Sequence, residues 1–131
     1  MVSTAPATPV ELMASQVDGE TLTLPTGSHV FRHGDLTSAI YGVRKGIVEL
    51  IDASRNRLCY RHGELFSYED IAWRGGFFRN EAIARTPVEL VKLERLNFLN
   101  LLHNHPTLAV VLIGQQHERL REQRASGSYS Y

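Results

Sequence analysis

Short β-prone runs fill the first ninety or so positions of the chain, and then the spacing of apolar residues changes. Thr21–Leu24 (TLTL) and His29–Arg32 (HVFR) are strand-like pieces separated by a turn at Pro25-Thr26-Gly27. Ala39–Ile51 (AIYGVRKGIVELI) holds two strand segments, and Gly46 marks a sharp turn or bulge between them. DASRNR reads as a polar hairpin loop, with LCYR returning from it. Glu81–Leu93 (EAIARTPVELVKL) supplies two more alternating runs, broken at Thr86-Pro87. From Glu94 onward the spacing is helical: Leu96, Leu99 and either Leu102 or His103 recur, with Phe98 on a flank. Pro106 stands where a first helical residue is favoured, with Asn104 or His105 as the capping candidate. A second, longer helix runs from there to about Arg124. One of its sides carries Ala109, Ile113, Gln116 and Leu120, and an adjoining side carries Leu108, Val111, Leu112 and Gln115. A short helical turn around Val10–Gln16 precedes the first strand.

Strands first and a helix pair last predict a mainly β fold with added α. Short strands at regular spacing, punctuated by Gly and Pro, point to a jelly-roll or double-stranded β-helix barrel, onto which the helices pack. The 131 residues suit one domain. Residues 1–8, mostly small and polar with one proline, read as a flexible arm, 9–124 as the folded unit, and 125–131 as a flexible tail.

Composition narrows the function classes. Lys+Arg and Asp+Glu both number 14, so no global basic excess argues for nucleic acid. Cys59 is the only cysteine, which excludes an internal disulfide and a cysteine zinc cage. Within RLCYR it reads as a buried strand thiol. The N-terminus lacks a basic segment followed by an apolar run, and Leu108–Ile113, the longest apolar run, is too short for a bilayer. A cytoplasmic protein without membrane contact is the expectation.

Several motifs in fixed order carry a family resemblance. LPTGSHVFRHGD is similar to the opening of cyclic-nucleotide-binding domains. IYGVRKGIVEL resembles their Tyr-x-Val-x-x-Gly-x-Val signature, with Tyr41, Val43, Gly46 and Val48 in place. HGELF (His62–Phe66) resembles the Gly-Asp-x-Phe that leads into the phosphate-binding cassette. VELVKLERLNFLNLLHNHPTLAVVLI is similar to the last strand, the short helix and the proline that opens the long helix. The likeness runs from about Glu20 to Arg124, and Thr86–Val91 (TPVELV) looks like the same segment in bacterial Crp/Fnr regulators. Those regulators continue into a helix-turn-helix, whereas seven residues follow Arg124 here, too few for a recognition helix. The expectation is therefore no direct contact with nucleic acid.

The resemblance makes Gly63–Ala82 (GELFSYEDIAWRGGFFRNEA) the ligand cassette. It implies a site formed by Phe66, Ser67, Tyr68, Glu69, Asp70, Arg79 and Asn80. In the family an acid accepts the ribose hydroxyl and an arginine nine or ten residues later pairs with the cyclic phosphate. Asp70 and Glu69 stand nine and ten residues before Arg79, and a guanidinium fork suits an anion. Ser67 and Tyr68 occupy the place of a glycine that lets backbone approach ligand, and Glu81 stands where the family has a small residue. The implied function is a stand-alone, non-catalytic sensor or regulatory module acting through another protein. No cofactor is required, and the ligand is a cyclic nucleotide or a 2-oxoglutarate-like dicarboxylate. The competing reading is a structural or interaction module with a degenerate pocket. Trp73 and Phe77-Phe78 then fill the core, close the pocket or form a contact surface.

A cupin-like metal-binding enzyme is the third reading, prompted by six histidines. His29 and His33 straddle a turn, His103 and His105 sit at a helix junction, and His62 and His117 stand alone, so surface or capping roles are expected. Cys59 has no histidine partner at fixed spacing, and no Gly-x-Ser-x-Gly elbow occurs. The resemblance further implies a homodimer through the long helix, with Leu108, Val111, Leu112 and Gln115 at the seam. The alternative is one amphipathic helix lying on its own barrel.

Overall fold

The computed structural model describes residues 8–66 and 77–125, with side chains up to residue 115. The first helix, α1 (Pro9–Ala14), is closed by a capping box: Glu11 N donates to Thr8 Oγ1 at 3.1 Å and Thr8 N donates to Glu11 Oε1 at 3.0 Å. Eight strands follow: β1 (Glu20–Leu24), β2 (His29–Phe31), β3 (Ala39–Lys45), β4 (Val48–Ile51), β5 (Arg57–Tyr60), β6 (Leu65–Phe66), β7 (Glu81–Ala84) and β8 (Val88–Glu94). Two helices end the described chain, α2 (Arg95–Asn104) and α3 (Pro106–Ala125).

The strands form two antiparallel four-stranded sheets, ordered β1-β8-β3-β6 and β2-β7-β4-β5. Apart from the β4–β5 hairpin, consecutive strands thus lie in different sheets, as in a jelly roll. The β3–β4 turn needs Gly46: its φ is +87°, and a Cβ there would lie 2.3 Å from the Pro87 carbonyl oxygen. Ile47 N donates to Thr86 Oγ1 at 3.0 Å, tying this turn to the β7–β8 turn at Thr86-Pro87.

The first sheet is buried on both faces, and each face has its own core. Between the sheets lie Phe31, Tyr41, Val43, Val48, Leu50, Phe66, Phe78, Ala82, Val88 and Leu90. On the other face of β3 and β8, Ile40, Val91 and Leu93 pack against Val10 and Met13 of α1, Phe98 and Leu101 of α2, and Leu108 and Leu112 of α3. Gly42 admits α1 to this face, since a Cβ there would sit 2.8 Å from Val10 Cγ2.

Three expectations are corrected by this packing. On α2 the buried face is centred on Phe98 and Leu101, while Leu96 is 73% exposed and Leu99 and Leu102 are half-buried. An aromatic ring removes more apolar area from water than a leucine, so its burial sets the rotation of the helix. On α3, Leu108 and Leu112 belong to the chain's own core, Gln115 is half-buried and Val111 stands exposed. The two leucines are therefore not surface residues for a partner. Cys59 is half-buried rather than enclosed, because β5 is the edge of the second sheet.

Candidate functional site

The cassette splits at the limits of the description. Ser67, Tyr68, Glu69 and Asp70, together with Trp73 and Gly75-Gly76, lie outside the described residues. Phe66, Arg79 and Asn80 are described. Phe66 is fully buried between the sheets, with ring centroids 6.0 Å from Phe31, 6.1 Å from Tyr41 and 5.7 Å from Tyr60. Asn80 is half-buried and Arg79 exposed.

The segment entering β7 is pinned to the turn after β2. Gly34 N donates to the Phe78 carbonyl at 2.8 Å and Phe78 N donates to the Asp35 carbonyl at 2.8 Å, while Leu36 and Phe77 form a β-bridge. The two phenylalanines part ways here. Phe78 turns inward and stacks on Phe31, rings 3.7 Å apart and 3° from parallel, whereas Phe77 is 55% exposed. One residue later, Arg79 faces an open cleft of about 250 Å³ lined by His33, Ile51, Asp52, Ala53, Arg55 and Glu81.

Strand register fixes which side of the roll this cleft occupies. Leu50 and Ala82 are cross-strand partners and both belong to the core between the sheets. Their neighbours Ile51 and Glu81, also partners, must point the opposite way. The cleft therefore lies on the outer face of the second sheet, at the end where the β4–β5 hairpin projects. Asp52 holds that hairpin, accepting from Ser54 N and Asn56 N at 2.9 Å each and from Asn56 Nδ2 at 3.2 Å. Arg55 takes the left-handed conformation at φ +68°. Glu81, which stands where the family has a small residue, lines this cleft and is paired with His29 Nε2 at 2.5 Å across β2 and β7.

A second charged group occupies the same outer face. Glu49, only 5% exposed, shares its Oε1 between Arg57 Nη1 at 2.7 Å and Arg85 Nη1 at 3.0 Å. A carboxylate removed from water needs such partners. The pattern VELI hints at this, since an acid among apolar strand residues calls for a cation. Which cations answer depends on the β4–β5 and β4–β7 registers, and neither is visible along the chain. The His29–Glu81 pair, 52 residues apart, carries no local signal at all.

Other groups are structural. Tyr41, buried in the roll, has its phenol pushed above its ordinary pKa by desolvation, then by the charges of Glu20 and Asp35. His62 Nδ1 lies 2.8 Å from the Arg44 carbonyl oxygen. Among the described residues no three His, Cys, Asp or Glu side chains converge to hold a metal ion, and no helix is long and apolar enough to cross a membrane.

Comparisons with known proteins agree with this architecture. The structure resembles the c-di-GMP-responsive global regulator CLP of Xanthomonas campestris, with a TM-score of 0.75 and 21% identity over 88% of this chain and 59% of that one. The catabolite activator protein of Thermus thermophilus gives 0.68 at 27% identity, over 88% and 55% respectively. The regulatory subunit of a cAMP-independent protein kinase A from Trypanosoma brucei gives 0.68 at 16%, over 82% and 39%. The chain thus spans little more than half the length of the two bacterial regulators. A search of curated proteins finds no match. The family model for the cyclic nucleotide-binding domain matches residues 21–105, about two-thirds of the sequence, and the chain belongs to that family.

Proposed function

We propose that the chain is a non-catalytic, cytoplasmic regulatory domain that senses a small anion at the cassette and passes the change to another protein. The carrying observation is the pair Phe78 and Arg79. Adjacent residues pinned by the Gly34 and Asp35 backbone bonds place one side chain in the aromatic core and the next in the cleft. An anion drawn to the Arg79 guanidinium acts on a segment whose neighbouring ring is stacked inside the roll, and core rings do not move independently of their neighbours. The relatives support a regulatory role: two are named as bacterial regulators or activators, the third as a kinase regulatory subunit.

The anion classes are cyclic mononucleotides, cyclic dinucleotides and dicarboxylates such as 2-oxoglutarate. A second reading, a protein-interaction module with a degenerate pocket, draws on the Phe31–Phe78 stack filling the space between the sheets. Thermal melting separates the two. Millimolar cAMP, cGMP, c-di-GMP and 2-oxoglutarate are added one at a time. A sensor gains about 2.7 kcal/mol at 100 times the dissociation constant of its ligand, and Arg79→Gln removes that gain. No shift with any of the four overturns the sensor reading and leaves the interaction module.

A further inference from the structure

The two sheets differ in what covers them. The three described helices pack on the first sheet, with α1, α2 and α3 closing the outer face of β3 and β8. No described helix covers the outer face of the second sheet. That face carries Glu49, Ile51, Arg57, Cys59 and Ile83, joined by register as cross-strand partners, with Arg85 two residues beyond Ile83. At its centre the buried Glu49 carboxylate holds two guanidinia through one oxygen. The Arg57 and Arg85 side chains are themselves 47% and 54% exposed.

We propose that this Arg57–Arg85 pair is a docking clamp for an acidic segment of a partner protein, pre-set by Glu49. Each guanidinium has five N–H donors in a rigid fork, and one Nη1 contact to Glu49 leaves the rest of each fork for a second carboxylate. Two cations on one carboxylate leave a net positive group, and Glu49 lies too deep to meet an incoming acid. Arg55 adds a further exposed cation at the neighbouring hairpin. Holding both forks in place beforehand reduces the ordering cost of binding. The charge fits an acidic peptide better than nucleic acid, because strong phosphate binding uses about six to ten contacts and the chain as a whole has no basic excess. This inference rests on the reading that the chain acts through another protein, but its readout, peptide binding, is separate from the small-ligand melting shift, and Arg79→Gln serves as the control that tells the clamp from the cassette cleft.

The test is fluorescence anisotropy of a labelled hexaglutamate peptide with the full chain at about 0.1 M salt, where charges act over about 10 Å. Saturable binding that weakens with added salt is expected. Arg57→Gln and Arg85→Gln each weaken it about two- to fivefold, the range of a single exposed ion pair. Arg85→Lys, which keeps the charge and a partner for Glu49, remains folded by melting and weakens it less than Arg85→Gln. Lys45→Gln, 78% exposed on the first sheet, leaves binding unchanged. Absence of saturable binding overturns the proposal. So does an equal loss with Lys45→Gln, or preference for a duplex DNA of similar charge. Loss through Arg79→Gln would assign the acid to the cassette cleft and likewise overturn it. A chain that binds the peptide but shows no melting shift with the four small ligands keeps the clamp and loses the sensor.

Discussion

Tyr41 lies in the core between the sheets, its ring 6.0 Å from Phe31 and 6.1 Å from Phe66. Burial opposes the phenolate most, and the carboxylates of Glu20 and Asp35 oppose it further. The folded pKa therefore exceeds the unfolded value of about 10. Below pH ~10 both states are protonated and the full stability is present; as pH rises from there through the folded pKa, the unfolded chain ionises first and stability is lost. Melting temperature is expected to fall above pH ~10, and Tyr41→Phe, which removes the titrating group, is expected to flatten that fall relative to the wild type. An unchanged alkaline slope in the variant would show that other groups dominate. At this scale the sequence is readable in part. Gly46 announces its turn. The side to which Phe78, Arg79 and Glu81 point depends on β7 register, which is set by partners far along the chain.

Most elements are legible because their cause is local. Alternation marks β1, β7 and most of β8, the Thr86-Pro87 break separates β7 from β8, and Pro106 opens α3. β6 has two residues, too few to show any period, and is held as a strand by pairing Tyr41 with Phe66 and Gly42 with Leu65. The phase of α2 is not fixed by the spacing of its leucines. Leucines at 96, 99 and 102 form a proper helical stripe, yet the fold buries the face that carries Phe98 and Leu101, three residues apart. The difference is measurable in urea unfolding. Phe98→Ala is expected to cost about 3–5 kcal/mol through lost burial and a cavity among Val91, Leu93 and Leu108. Leu96→Lys is expected to change stability by no more than about 0.5 kcal/mol, since that side chain already faces water. The opposite ranking would restore the leucine stripe as the packed face.

For the whole molecule, the order of strands and helices was enough to foresee a roll with appended helices, because few topologies bury that pattern. What the order could not divide is the apolar surface of α3 between the chain itself and a partner. Leu108 and Leu112 serve the chain's own second core. Val110, Val111 and Ile113 remain 70%, 47% and 57% exposed, three branched side chains within one turn. We propose that a second copy covers this stripe, in a two-fold contact in which each α3 meets its mate. The same side chains lie outside both cores, so the contact can be tested without harming the fold. Light scattering at ~100 μM is expected to give a dimer mass, since a complex with a dissociation constant of about 1 μM is almost fully assembled there. Val110→Glu with Ile113→Glu places like charges in a two-fold contact and is expected to return a monomer with an unchanged cooperative melt. A wild-type monomer at that concentration removes the dimer and leaves α3 as a helix lying on its own roll through Leu108 and Leu112, with the outer stripe facing water.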